Sequence, residues 1–192
     1  MRRWLAHSRT LLQALTWLLL VLYPFAVWFG VSRWGTQLLA PLLALLFTLR
    51  LLSLRGGWRQ HGGLAKMLAL VGIVLAVSSW LLGQSHWLLY YPVLVSLLLL
   101  ALFAYSLWFP PTVVERLARL REPALSAAGV AYTRRVTQVW CGFFIVNASI
   151  ALITCQLGDI KLWTLYNGGI SYLLMGALMG GEWIARQRVK RR

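Results

Sequence analysis

The chain has 192 residues, of which 60% are hydrophobic and only 12% charged, whereas an ordinary soluble domain is ~45–50% apolar and ~25% charged. The net charge of +15 raises the question of a polyanionic partner. The basic residues flank apolar runs, where anionic lipid headgroups are the nearest polyanion, so nucleic acid is excluded as a partner on that placement.

Six apolar runs, at 10–31, 36–54, 65–83, 88–109, 136–157 and 163–184, are each long enough to cross a bilayer core of ~30 Å. They predict an all-α, polytopic membrane protein forming a single transmembrane domain over residues 1–192. Seventeen of the nineteen Lys and Arg residues fall on one side of this threading. They are Arg2, Arg3 and Arg9; Arg50, Arg55, Arg59 and Lys66; Arg116, Arg119, Arg121, Arg134 and Arg135; and Arg186, Arg188, Lys190, Arg191 and Arg192. Only Arg33 and Lys161 fall on the other. Positive residues are retained in the cytoplasm, so both termini are expected inside, with the chain in a bacterial inner membrane.

The first run follows MRRWLAHSRT and is longer than the ~7–15-residue core of a secretory signal, with no small-residue cleavage site after it. It is expected to be a retained helix. The second run ends in LFTLRLLSLR, and Arg50 there is expected to snorkel to the inner interface. The glycine-rich loop Arg55 to Gly63 places Arg55 and Arg59 near lipid phosphate and lacks the pattern of a phosphate-binding loop. Ser78 and Ser79 in the third run can bond back to their own helix.

The fourth run should stop at Pro110-Pro111. Beyond it, Thr112 to Glu122 carries Val113, Val114, Leu117 and Leu120 at helical spacing among Glu115, Arg116, Arg119, Arg121 and Glu122. Thr112 and Glu115 match a capping box. Two readings remain: a basic amphipathic helix on the inner leaflet, or a helical connector. The following stretch to Arg135 reads as a flexible lead into the fifth helix, with Arg134 and Arg135 beside Arg116 and Arg119 as candidate headgroup contacts.

Few polar groups lie at depth. Asn147, in the middle of the fifth run, must pair with something because an amide in hydrocarbon is costly; interhelical bonding is the first reading and a ligand contact the second. Cys141 and Cys155 share that run fourteen residues apart, too far to bond within one helix, and read as small buried hydrophobes. In the sixth run Gly176, Gly180 and Gly181 form a small-residue strip suited to close helix packing, within the bundle or with a second copy. Glu182 lies four residues before Arg186, an order that favours an intrahelical ion pair. A proton or cation site is the sharper alternative and would need a second carboxylate.

His7, His61 and His86 have no metal-ligand spacing, and no paired carboxylates, H-E-x-x-H, G-x-S-x-G or Cys-His arrangement appears. No metal, cofactor or catalytic residues are expected, and the chain is not expected to be an enzyme. No duplication of a three-helix unit is evident, which disfavours a transporter built on internal repeats.

Three segments, the WLLYYPV opening of the fourth run, the VERLARL segment, and TRRVTQVWCGFFIVNASIAL followed by LWTLYNGGISYLLMGALMGGEWIAR, resemble the bacterial intracellular septation protein A family of inner-membrane proteins. On that resemblance Trp140, Phe143, Phe144, Asn147, Trp163 and Tyr166 hold family positions over about half of the chain. Tyr91-Pro92-Val93 departs from that family's Lys-Pro-Thr-like element, and the N-terminal third does not match. The chain is more similar to a divergent group of membrane proteins encoded beside aryl-polyene and fatty-acid-type biosynthesis genes. The resemblance implies non-enzymatic cell-envelope maintenance or support of envelope biosynthesis, through other inner-membrane proteins, a second copy or lipids. A small transporter or flippase for a lipid or polyene precursor is the alternative.

Overall fold

A computed structural model describes residues 23–33, 35–53, 63–84 and 86–190. The described residues are helical, with no strand among them. In chain order the helices are α1 Tyr23–Arg33, α2 Gly35–Ser53, α3 Gly63–Leu82, α4 His86–Leu89, α5 Tyr91–Trp108, α6 Val113–Arg119, α7 Ala127–Leu157, α8 Ile160–Leu165 and α9 Ser171–Lys190, with a π-helical segment at Tyr166–Ile170 before α9. Two helical stretches, His86–Trp108 and Ala127–Leu157, are long and apolar enough to cross a membrane; Leu38–Leu52 and Lys66–Leu82 are shorter apolar helices. Most of the first expected span lies outside the described residues.

The chain forms two compact units, residues 1–91 with 157–170, and residues 92–156 with 171–192. The first holds α1 to α4, α8 and the π segment. Its interior is built on Tyr23, Phe47 and Tyr91, whose ring centroids lie 4.6 to 6.2 Å apart. α2 and α3 close on each other where Gly72 has no side chain: a Cβ there would stand 2.6 Å from the Phe47 ring. α3 ends in a Schellman turn. Gly83 takes φ +64°, the left-handed region glycine tolerates, and the Gln84 and Gly83 amides reach back to the Ser79 and Trp80 carbonyls. Ser79 does not bond back along its helix; its hydroxyl donates forward to the Gln84 carbonyl at 2.8 Å, clasping that turn.

The break between α4 and α5 follows from Pro92. A proline has no N–H to offer the carbonyl four residues earlier, here Leu88. The Tyr23 hydroxyl supplies the missing donor at 2.8 Å, and the Trp163 indole N–H donates to the adjacent Leu89 carbonyl at 3.0 Å. Trp163 is fully buried in doing so.

The second unit is a layer of α5, α7 and α9 with α7 in the middle. From Ser96 to Phe103 to Leu107, α5 meets α7 at Asn147, then Phe144 and Trp140, then Arg134, so the two run antiparallel. α9 meets α7 at Asn147 from Ser171 and at Trp140 and Tyr132 from Glu182, also antiparallel. α7 begins at Ala127, inside the stretch expected to be a flexible lead and nine residues before the expected helix start at 136. Ser126 caps it, with its hydroxyl accepting from the Gly129 amide at 3.2 Å. Its 31 residues extend ~46 Å at about 1.5 Å per residue, longer than an apolar core of ~30 Å, so the hydrophobic run alone under-reports the helix.

Candidate functional site

The polar centre of the second unit is Asn147, buried in the middle of α7. Its amide nitrogen donates to the Ser96 hydroxyl of α5 at 3.0 Å, and its carbonyl oxygen accepts from the Ser171 hydroxyl of α9 at 2.8 Å. The Ser96 hydroxyl in turn donates to the Pro92 carbonyl at 2.9 Å. One amide thus ties three helices, and both of its ends are used within the unit.

Toward one end of that layer the aromatics Trp140, Phe143 and Phe144 form a cluster with Phe103. Phe144 packs edge-on against Phe103 at 5.2 Å and lies 5.6 Å from Trp140, which meets Phe143 edge-on at 5.7 Å. Edge-to-face pairs of this kind set the quadrupole edge of one ring against the face of the next. The Trp140 indole N–H points to the Glu182 carboxylate at 3.4 Å, and the Tyr132 hydroxyl donates to the Glu182 backbone carbonyl at 3.1 Å. Glu182 is therefore engaged across helices by Trp140; the Arg186 side chain expected to pair with it lies outside the described residues. Trp163 and Tyr166 are buried in the first unit, where the Asn167 amide donates to the Trp163 carbonyl at 2.9 Å.

At the same end of the second unit the chain between α5 and α7 is fastened at four points. The Ser106 hydroxyl accepts from the Val113 amide at 3.1 Å. Thr112 accepts from the Glu115 amide at 3.2 Å. Arg116 Nε donates to the Pro111 carbonyl at 2.9 Å, and Arg134 Nη1 to the Leu107 carbonyl at 3.0 Å. Only one half of the expected capping box is made by Glu115. Its carboxylate turns to Arg119 instead, at 2.7 and 2.9 Å, because an arginine one turn on offers a charge-assisted fork in place of a single amide. Arg116, Arg119 and Arg134 thus hold protein groups as well as positive charge, and Arg135 is exposed.

Arg50 departs from its expected place. It is buried, only 5% exposed, with Tyr91 as its titratable neighbour. Gly176, Gly180 and Gly181 are exposed, and a Cβ at any of them would meet nothing within 4 Å among the described residues. The strip therefore does not serve close packing within the described chain. Cys141 and Cys155 are free thiols, Cys155 buried and Cys141 half-buried. Among the described residues no group of three or more His, Cys, Asp or Glu is placed to hold a metal ion. Arg55 and Arg59 lie outside the described residues.

Two features were not found by sequence reasoning. The donors to the Leu88 and Leu89 carbonyls could have been sought from Pro92 alone, since it leaves an orphan acceptor. The π segment at Tyr166–Ile170 had only its Asn-Gly-Gly composition as a signal.

Comparison with protein families, with curated proteins and with solved structures finds no match to this chain.

Proposed function

We propose that the chain is a six-span protein of the bacterial inner membrane with both termini cytoplasmic, related to the septation protein A family. It works without catalysis in envelope maintenance or envelope biosynthesis, by holding other membrane proteins, a second copy of itself, or lipids. The observation that carries this reading is the contrast between its two kinds of helix-packing residue. Asn147 is consumed inside the second unit by Ser96 and Ser171, whereas the Gly176, Gly180 and Gly181 strip faces outward with its approach open. A small-residue face of that kind lets another helix come close in lipid.

The orientation is supported by charge. In the second unit Arg116, Arg119, Arg121, Arg134 and Arg135 all sit at the end where α5 finishes and α7 begins. At the opposite end the sequence carries Lys161 alone between the end of α7 and the start of α9, and no Lys or Arg around the start of α5. Retention of positive residues in the cytoplasm puts the basic end inside.

The transporter alternative needs polar groups such as Asn147, Gln138, Asn167 and Glu182 to line a hydrated path. The closed bonding of Asn147 favours the scaffold over it. Purification in native-lipid particles tests the reading. A stoichiometric protein partner or second copy that is lost in Gly180→Leu, with the fold retained, is expected. A selectively enriched lipid or acyl intermediate with no protein partner would contradict it.

A further inference from the structure

We propose that α6 is a fixed wedge in the surface of an anionic leaflet, with Leu117 and Leu120 entering the acyl boundary and Arg116 and Arg121 meeting lipid phosphates. This rests on the membrane reading above and goes further by assigning the surface and its ligand chemistry.

α6 divides by face. Val114, Glu115 and Ala118 are buried against the unit, while Leu117 and Leu120 stand 60% and 74% exposed. Leu120 lies three residues after Leu117, so the two share a helical face. The exposed Arg116 and Arg121 adjoin them in sequence. The helix cannot turn over to hide the leucines. Thr112 caps its first turn, Ser106 holds the Val113 amide, and Arg119 is forked to Glu115 while also donating to the Pro123 carbonyl at 3.1 Å. The chain leading into it carries Trp108 and Phe109, also largely exposed, with Phe109 stacked on Tyr105 at 4.6 Å.

Large apolar side chains, aromatics and arginines together match the headgroup–acyl boundary, where the rings sit at headgroup level and the guanidinium groups meet phosphate. The sign of the charge selects the lipid. The Glu115 carboxylate is turned to Arg119, which leaves Arg116, Arg121, Arg134 and Arg135 as the exposed charge of α6 and the start of α7 among the described residues. A leaflet of negative surface potential complements it and a zwitterionic one does not.

The test is spin-label accessibility on the full chain in nanodiscs, with labels at Leu120→Cys and, separately, Leu117→Cys in a Cys141→Ser, Cys155→Ser background. A label at Ile145→Cys, exposed at mid-depth of α7, serves as control. Nanodiscs contain either phosphatidylglycerol or phosphatidylcholine alone. In phosphatidylglycerol the α6 labels should favour oxygen over the water-soluble nickel quencher, as the control does. They should shift toward nickel in phosphatidylcholine, and in phosphatidylglycerol after Arg116→Gln with Arg121→Gln. Nickel access in both lipids would overturn the proposal, as would equal immersion in both. Protection from both quenchers would assign the face to a protein neighbour and overturn it too. If the Ile145 label itself is open to nickel, the membrane reading fails rather than the wedge.

Discussion

Asn147 and Ser96 are joined by a 3.0 Å hydrogen bond between the middle of α7 and the first turns of α5. The same amide accepts from Ser171 of α9, so removing its side chain unties both neighbours of the central helix at once. Interhelical hydrogen bonds in membranes average ~0.6 kcal/mol and reach about 1.7. Asn147→Leu should therefore lower stability by about 1–2 kcal/mol, read by steric trapping in bicelles. Ser96→Ala and Asn147→Ala should be less than additive in a double-mutant cycle, and strict additivity would show that the bond carries no coupling.

Tyr23 and Pro92 give a sharper test of cause. Tyr23→Phe leaves the Leu88 carbonyl buried without its donor, a loss of ~1–3 kcal/mol for an orphaned buried group. Pro92→Ala restores an N–H at the position that serves Leu88 in a regular helix. The Tyr23→Phe defect should shrink in the Pro92→Ala background, measured by the same unfolding assay. An undiminished defect would mean that the phenol is not answering the proline.

Glycines separate internal from external packing. Gly72→Ala puts a Cβ into the Phe47 ring and should destabilise by about 1–3 kcal/mol, the usual cost of overpacking. Gly176→Ala and Gly180→Ala meet nothing within 4 Å among the described residues and should leave thermal stability in detergent unchanged. Any effect of Gly180→Leu is then expected in association on native gels; unaltered migration would count against a role for the strip.

Thr112→Ala removes the hydroxyl that accepts from the Glu115 amide. Loss of an N-cap costs ~1 kcal/mol, and for a seven-residue helix it should appear as faster amide exchange across residues 113–119. Thr112→Ser should retain protection.

Much of this fold is legible because lipid-length helices announce themselves as apolar runs, and Pro110-Pro111 marks where α5 has to stop. Thr112 as a cap follows from local chemistry alone. Three other features require tertiary context. α7 starts at Ala127 because Ser126 caps an alanine-rich stretch, a signal that hydropathy passes over. Arg50 is buried beside Tyr91, which no window of its own helix contains. Glu182 has a sequence neighbour of opposite charge, yet it is met by Trp140 from another helix, 42 residues away. At the candidate site Asn147 stands out as the lone asparagine of its apolar run, but its serine partners are ordinary helix residues until the chain is folded.

The account stands on the second unit crossing the membrane with its basic end in the cytoplasm. Single cysteines at Ala124, just before α7, and at Lys161, just after it, in a Cys141→Ser, Cys155→Ser background test this with a membrane-impermeant maleimide. The account predicts that Ala124→Cys reacts only in inverted vesicles and Lys161→Cys only in right-side-out cells whose outer membrane has been opened. Both sites reacting from one side, or the reverse pattern, would contradict it.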